Sequence, residues 1–351
     1  MDPLSTGDRR EGDRYEMETR ALYTRAGDRR KGSLNGIRLD LLSTIKSRSA
    51  KSFLSPAPVL SGKVKHRISK SATPVIVRPP KIAVFDSGLG GLTVFREIAK
   101  IRPEADYIYC ADDAGFPYGS WGESALIERV LGVVGGLIER ETPDLVAVAC
   151  NTASTLALPQ LRARWPRLPF VGTVPAVKPA AQMSRSRMIS VLATPGTVAR
   201  DYTQKLISEF AGDCEVNLVG SSRLARLAEQ AMRGEKIEDE AIAQEIAPCF
   251  QEKKGARTDA VVLACTHYPL LADSFERLAP WPVAWVDPAP AIARRVDDML
   301  RQSLGDGEPR PGEPLSRRAC FTSNETPTPE LASALARYGL TASALEQAAG
   351  A

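Results

Sequence analysis

The chain has 351 residues, 43% hydrophobic and 25% charged, the balance of a soluble globular protein with room for two domains. No apolar run approaches the ~18 residues a membrane helix needs, and six cysteines without a CxxC pair make no disulfide framework, which points to a reducing cytoplasm. Charge is uneven: residues 1–80 carry 17 Lys and Arg against 8 Asp and Glu, and the remainder 29 against 34.

Residues 1–80 are polar, rich in Arg, Ser and Gly, and have only Tyr15, Tyr23 and Phe53 as aromatics. Such a segment buries too little apolar surface to offset its ordering entropy, so it reads as a disordered basic extension. Leu34, Ile37, Leu41, Leu42 and Ile45 permit one short amphipathic helix. A basic arm suits nucleic acid, a membrane surface or a partner; the plainer reading is a solvated addition upstream of the body. No apolar run follows the first basic residues, so no secretory signal is read, and the acids disfavour a mitochondrial transit peptide.

The body opens with a buried strand, Ile82–Phe85, that runs into Asp86-Ser87-Gly88-Leu89-Gly90-Gly91 before a helix near Leu92. A Gly-rich turn there can cradle an anion on backbone N–H groups. It is no dinucleotide fingerprint, because Thr93 stands where a third glycine belongs, and no Walker loop, because no Gly-Lys-Ser/Thr follows. Asp86 at the strand end is either a helix cap or a functional carboxylate.

Tyr107–Ala111 is a second strand, followed by a loop with Asp112, Asp113 and Pro117-Tyr118-Gly119-Ser120 that is either a pocket wall or an ordinary connection. A helix over Glu123–Glu141 directs Leu126, Val130, Val133 or Val134, and Leu137 inward. Val146–Ala149 is a strand without alternation, hence buried on both faces, and ends in Cys150-Asn151-Thr152. A helix over Ala153–Arg164 and a strand at Phe170–Gly172 complete the first half.

The second half repeats the first. Met188–Ala193 runs into Thr194-Pro195-Gly196-Thr197 and a helix, Val198–Phe210, as Ile82–Phe85 ran into its Gly turn. A strand at Glu215–Val219 and helices at Arg223–Met232 and Ile237–Lys253 precede Val261–Ala264, which ends in Cys265-Thr266-His267 as the earlier strand ended in Cys150. Two motif pairs at nearly one offset predict a duplicated α/β unit. A helix through Leu278, a strand at Val283–Val286, a helix over Ala291–Leu304, a strand at Arg317–Thr322 and a helix at Pro329–Tyr338 close the chain.

Cys150 and Cys265 thus sit where a strand ends and a helix begins, the place where open α/β sheets bind ligands. Four readings compete. Inert core thiols suit Cys110, Cys214, Cys249 and Cys320 better than these two. Metal ligation with His267, the only histidine of the body, has no recognised zinc spacing. A single nucleophile needs an orienting base. Two acid–base groups on opposite faces of one carbon fit best: a thiol titrates near pH 8.5, a helix N-terminus lowers that value, and removing an α-proton and returning it to the other face takes one such group per face. Helix-terminal amides with Ser87, Asn151, Thr152, Thr194, Thr197 and Thr266 can hold substrate carboxylates. No cofactor signature accompanies these residues, and no metal site is expected.

Ala83-Val84-Phe85-Asp86-Ser87-Gly88-Leu89-Gly90-Gly91-Leu92-Thr93-Val94, Pro117-Tyr118-Gly119, Cys150-Asn151-Thr152-Ala153-Ser154 and Cys265-Thr266-His267-Tyr268-Pro269-Leu270-Leu271, in that order and spacing, resemble glutamate racemase over residues 81–345. The resemblance implies cofactor-independent interconversion of L- and D-glutamate, with D-glutamate feeding peptidoglycan synthesis. It implies that Cys150 takes the proton from the D form and Cys265 from the L form. Asp86 assists the first and His267 the second, and Ser87, Tyr118, Gly119, Asn151, Thr152 and Thr266 bind substrate. It also implies two pseudo-symmetric, doubly wound α/β domains with the site in the cleft between them: 81–175 with 288–345 rejoining it, and 176–287. This chain departs from the family where a Cys-Pro-Leu-Phe-Val-like run usually stands, having Ser221-Ser222-Arg223-Leu224-Ala225, with Glu229 at the matching acid and its role open. The alternatives are a racemase of a related amino acid such as aspartate, and a non-catalytic protein acting through the basic extension. The expected partner is a small-molecule substrate, with neither membrane nor nucleic acid, and a homodimer stays an open alternative.

Overall fold

The computed structural model describes residues 79–304 and 315–344. The extension read over residues 1–80, with its short helix, lies outside the described residues except for Pro79 and Pro80. In chain order, β1 (Lys81–Asp86), α1 (Leu92–Ile101), β2 (Asp106–Ala111), α2 (Glu123–Glu141), β3 (Leu145–Val148), α3 (Asn151–Arg164) and β4 (Phe170–Gly172) come first. Then follow α4 (Val177–Met183), β5 (Met188–Ala193), α5 (Pro195–Val198), α6 (Asp201–Phe210), β6 (Glu215–Gly220), α7 (Leu224–Met232) and α8 (Asp239–Ile246). The hairpin β7 (Glu252–Lys253) and β8 (Ala256–Arg257) leads to β9 (Ala260–Ala264), α9 (Ala272–Leu278) and β10 (Ala284–Val286). The last elements are α10 (Ala289–Leu304), β11 (Arg317–Phe321), α11 (Pro329–Arg337) and β12 (Thr341–Ala344).

The strands form two parallel sheets, ordered β12-β11-β2-β1-β3-β4 and β10-β9-β5-β6. Within them β2-β1-β3-β4 and β6-β5-β9-β10 repeat one order, the duplication that the paired motifs predict. The central strands β3, β5 and β9 are buried along their whole length, as their unalternating Val, Ile, Leu and Ala require. Alternate residues of β1 feed two apolar layers. Ile82 and Val84 pack under α1, α10 and α11, while Ala83 and Phe85 pack under α2 and α3. Each such large side chain contributes roughly 1.5–3 kcal/mol on burial. In the second sheet Ile189 and Val191 face α4 and α6, and Leu192, Val261 and Leu263 face α7, α8 and α9. After β10 the chain returns to the first sheet, since Ile292, Val296 and Leu300 of α10 join the layer of Ile82 and Val84.

Four local expectations are corrected. The helix expected over Val198–Phe210 is two helices, because Arg200 is extended (φ −85°, ψ 138°) and starts α6 afresh. The helix expected over Ile237–Lys253 ends at Ile246 in a short turn through Pro248, which cannot donate to a continuing helix; Lys254 and Gly255 then adopt positive φ in the tip of the β7–β8 hairpin. Neither α4 nor β12 was expected: α4 is only seven residues long, and Thr341–Ala344 is a weakly apolar edge strand whose partner, β11, is supplied by the fold.

Candidate active site

Each thiol stands just past the end of a strand, and the helix expected directly after each begins at once only behind Cys150, since a short turn precedes α9 at Ala272. Cys150 precedes α3 with an extended backbone. Cys265 follows β9 directly, before the turn Tyr268–Leu271. Both lie at the carboxyl ends of their sheets and are nearly sealed, 5% and 7% exposed. Cys150 Sγ–H donates to Ser87 Oγ at 3.7 Å. Burial pushes the Cys150 thiol well above its ordinary value, Asp86 and Cys265 add to the rise, and the Ala153 amide and Ser87 oppose it.

Asp86 ends β1 and is fully buried. Its Oδ2 accepts from the Gly88 and Gly91 amides at 3.1 and 3.0 Å, the local cap that sequence alone left open, while Oδ1 accepts from Thr266 Oγ1 at 3.3 Å. One carboxylate therefore holds its own turn and reaches the second cysteine's motif. Burial raises its pKa, and the nearby His267 and the Gly91 amide pull it partly back.

On the other side, His267 Nδ1 lies 3.9 Å from Cys265 Sγ and Nε2 lies 2.8 Å from Glu229 Oε1. Burial works against a charged imidazole. The hydrogen bonds to Cys265 and Glu229 and the charge of Asp86 outweigh it, so the His267 pKa stands well above the ordinary histidine range. Glu229, whose place was open in the sequence, is buried on α7, where its Oε1 also accepts from the Leu89 amide of the Gly turn. The motif that marked His267 contains no sign of this partner.

The Gly turn is glycine for space rather than for φ, since none of Gly88, Gly90 and Gly91 has a positive φ. A Cβ on Gly90 would lie 2.4 Å from His267 Nδ1 and 2.6 Å from its main-chain nitrogen. The turn is thus the surface on which the Cys265 motif rests, and Thr93 Oγ1 donates to Thr266 O across the same contact at 3.2 Å.

The remaining candidates gather on the Cys150 side. Thr152 Oγ1 lies 3.4 Å from Thr194 Oγ1, which lies 3.0 Å from Thr197 Oγ1. Gly119 packs against Thr194, at 3.6 Å from a notional Cβ to Thr194 Cβ. Asn151 is 3% exposed, and neither its Oδ1 nor its Nδ2 has a partner among the described residues; a buried amide of this kind normally has one. Tyr118 is buried near Cys150, but its hydroxyl donates to Asp112 Oδ2. Among the described residues no group of three or more His, Cys, Asp or Glu is arranged to hold a metal ion, and no helix is long and apolar enough to cross a membrane.

The chain resembles known proteins in sequence and fold. The family model described as Asp/Glu/hydantoin racemase matches residues 92–296. The chain is 57% identical over 244 residues to a glutamate racemase of Sinorhizobium fredii, covering 70% of this chain and 90% of that protein. It is 55% identical over 241 residues to that of Brucella anthropi, covering 69% and 87%. Among solved structures, Escherichia coli glutamate racemase in complex with L-glutamate and the activator UDP-MurNAc-Ala superposes with a TM-score of 0.69 at 38% identity, covering 76% of this chain and 97% of that one. Glutamate racemase from Aquifex pyrophilus gives 0.55 at 29% identity, covering 74% and 94%.

Proposed function

The chain belongs to the Asp/Glu/hydantoin racemase family and within it to the glutamate racemases, and from that premise we propose that it interconverts L- and D-glutamate with two cysteines as the bases. The observation that carries the reading is the pair of nearly sealed thiols at the carboxyl ends of two like-ordered sheets, each with its own polar support: Asp86 and Ser87 by Cys150, His267 and Glu229 by Cys265.

For D-glutamate, the Cys150 thiolate takes the α-proton, the electron pair left on Cα delocalises into the adjacent carboxylate, and the Cys265 thiol delivers its proton to the opposite face. L-glutamate runs the reverse. A buried thiol gives up its proton when a cation enters beside it, and the substrate ammonium is that cation. His267, held protonated by Glu229, supports the Cys265 thiolate, and Asp86 assists at Cys150. The free amide of Asn151 takes a substrate carboxylate together with the main chain at Gly119 and the hydroxyls of Ser87 and Thr266. The run Thr152, Thr194 and Thr197 faces the side-chain carboxylate. Residues 81–175 with 288–304 and 315–344, and 176–287, form the two lobes. D-glutamate made here feeds peptidoglycan synthesis in the cytoplasm, where free thiols such as these persist.

The test is solvent exchange. The protein is incubated with L-glutamate in D₂O without added cofactor, and Cα deuteration and optical rotation are followed. Exchange with loss of rotation, abolished in a Cys150→Ser, Cys265→Ser double variant, is the expected result. Activity surviving in the double variant refutes the mechanism, and exchange with aspartate instead of glutamate replaces the substrate.

A further inference from the structure

Asp112 is fully buried just beyond β2, and its main-chain N–H donates to the Asp86 carbonyl at 2.8 Å, so it stands beside the end of the strand that carries the site. Its carboxylate receives four donors. Oδ1 accepts from Arg129 Nη2 and Thr322 Oγ1, both at 2.6 Å, and Oδ2 accepts from Arg129 Nε at 2.7 Å and from the Tyr118 hydroxyl. The Arg129 pair is the two-pronged kind that fixes direction as well as distance. Thr322 follows β11, so the carboxylate joins the returning part of the chain to α2 and to the 113–121 loop.

The loop is built around this pair. Trp121 Nε1 donates to Gly115 O at 2.8 Å, and the Arg129 guanidinium lies 5.3 Å over the Trp121 ring. A Cβ on Gly115 would stand 2.3 Å from Arg129 Nε and 2.8 Å from Asp112 Oδ2, so any larger residue would part them. The loop's inner end is Tyr118-Gly119, where the ring shares an apolar layer with Cys150 and Gly119 meets Thr194. The Tyr118 hydroxyl has given its single proton to Asp112 and has none to offer a substrate carboxylate.

We propose that Asp112 and Arg129 are positioning residues for the racemase reaction: through the Tyr118 hydroxyl they hold the Tyr118-Gly119 main chain in the place where it receives the substrate carboxylate. This rests on the function proposed above. An interaction that fixes a binding wall is felt equally by the bound substrate and the transition state, so its loss raises KM and leaves kcat in place. A pair that only holds the fold together changes the melting temperature and leaves KM alone.

The experiment measures kcat and KM for both enantiomers at 25 °C, with melting curves, in the full chain and in Asp112→Asn, Arg129→Gln, Arg129→Lys and Tyr118→Phe. Expected are a KM raised about tenfold or more for both enantiomers in Asp112→Asn and Arg129→Gln with kcat within about threefold, and partial recovery of KM in Arg129→Lys. Tyr118→Phe should raise KM as well and add nothing further in the Asp112→Asn background, since both changes cut one chain of contacts. KM within about twofold of the unaltered protein in these variants, or full additivity of Tyr118→Phe with Asp112→Asn, overturns the proposal. If Asp112→Asn does not fold, Tyr118→Phe and Arg129→Lys decide by the same KM criterion. An unaltered protein that does not racemise glutamate refutes the function and this inference with it. An active protein whose variants keep their KM refutes the inference alone.

Discussion

His267 and Glu229 form a buried pair, Nε2 to Oε1 at 2.8 Å, although they stand 38 positions apart in the chain. The same Glu229 oxygen accepts the Leu89 amide of the Gly turn, so one carboxylate binds the α7 helix, the Cys265 motif and the strand end that carries Asp86 into one unit. The hydrogen bonds to Cys265 and Glu229 outweigh burial and raise the His267 pKa.

Replacing Glu229 by Gln removes one of the charges that hold the His267 pKa up, so the imidazolium loses its proton at lower pH. The alkaline limb of kcat/KM for L-glutamate is expected to move to lower pH, with a fall of about 10–100-fold at pH 8. A full pH–rate profile in both directions checks this; an unmoved alkaline limb would remove His267 from the Cys265 side.

The same raised pKa sets a direction for stability. A histidine whose folded pKa lies above the unfolded value stabilises the fold fully below about pH 6.5, and that contribution fades as pH rises through the folded value. The melting-temperature difference between the unaltered protein and His267→Gln is therefore expected to be largest near pH 6 and to shrink on the alkaline side. Calorimetry across that range reads it directly.

Asp86 has its pKa raised by burial, so its charge opposes folding at neutral pH. In Asp86→Asn the amide oxygen can keep the Gly88 and Gly91 bonds, and the amide nitrogen can donate to Thr266. The variant is expected to melt higher than the unaltered protein at pH 7 while losing about 10–100-fold in kcat. The stability gain should vanish as pH falls below about 4, where the unfolded carboxyl protonates too.

Gly90→Ala would drive a Cβ into the His267 main chain, where neither partner can yield. A cost of about 1–3 kcal/mol is expected, with a larger loss of kcat for L-glutamate than for D-glutamate, since the clash lies on the Cys265 side. Gly122→Ala, where nothing lies within 4 Å of the added atom, is the control and should change neither property.

Asn151 keeps a buried amide without a partner among the described residues. In Asn151→Leu the free protein is expected to melt no lower than the unaltered one, because an unpaired buried polar group is removed. Glutamate at about 100 times Kd should stabilise the unaltered protein by about 2.7 kcal/mol, and this shift should largely disappear in the variant.

Much of this was legible in the chain itself, for a local reason. An unalternating run such as Val261–Ala264 has to be buried on both faces, and the polar residues that follow it have to end the strand, so Cys150 and Cys265 were placed by their own neighbours. The Glu123–Glu141 helix was readable in full because its inward positions repeat at helical spacing. The split at Arg200 and the hairpin after Pro248 were missed because apolar spacing runs across both breaks and hides them.

The amino-acid sequence by itself determined which residue types stand at the strand ends, that two halves repeat, and that two thiols stand at corresponding places in them, since each follows from neighbours within a few positions. Only the tertiary structure decided what those residues touch. It put Glu229 behind His267, turned Asp86 toward both its own turn and Thr266, gave the glycines of the turn a steric rather than a conformational purpose, and tied the Tyr118 hydroxyl to Asp112 instead of leaving it for substrate. Burial against one another couples groups 38, 180 or 140 positions apart, and no local pattern carries that distance.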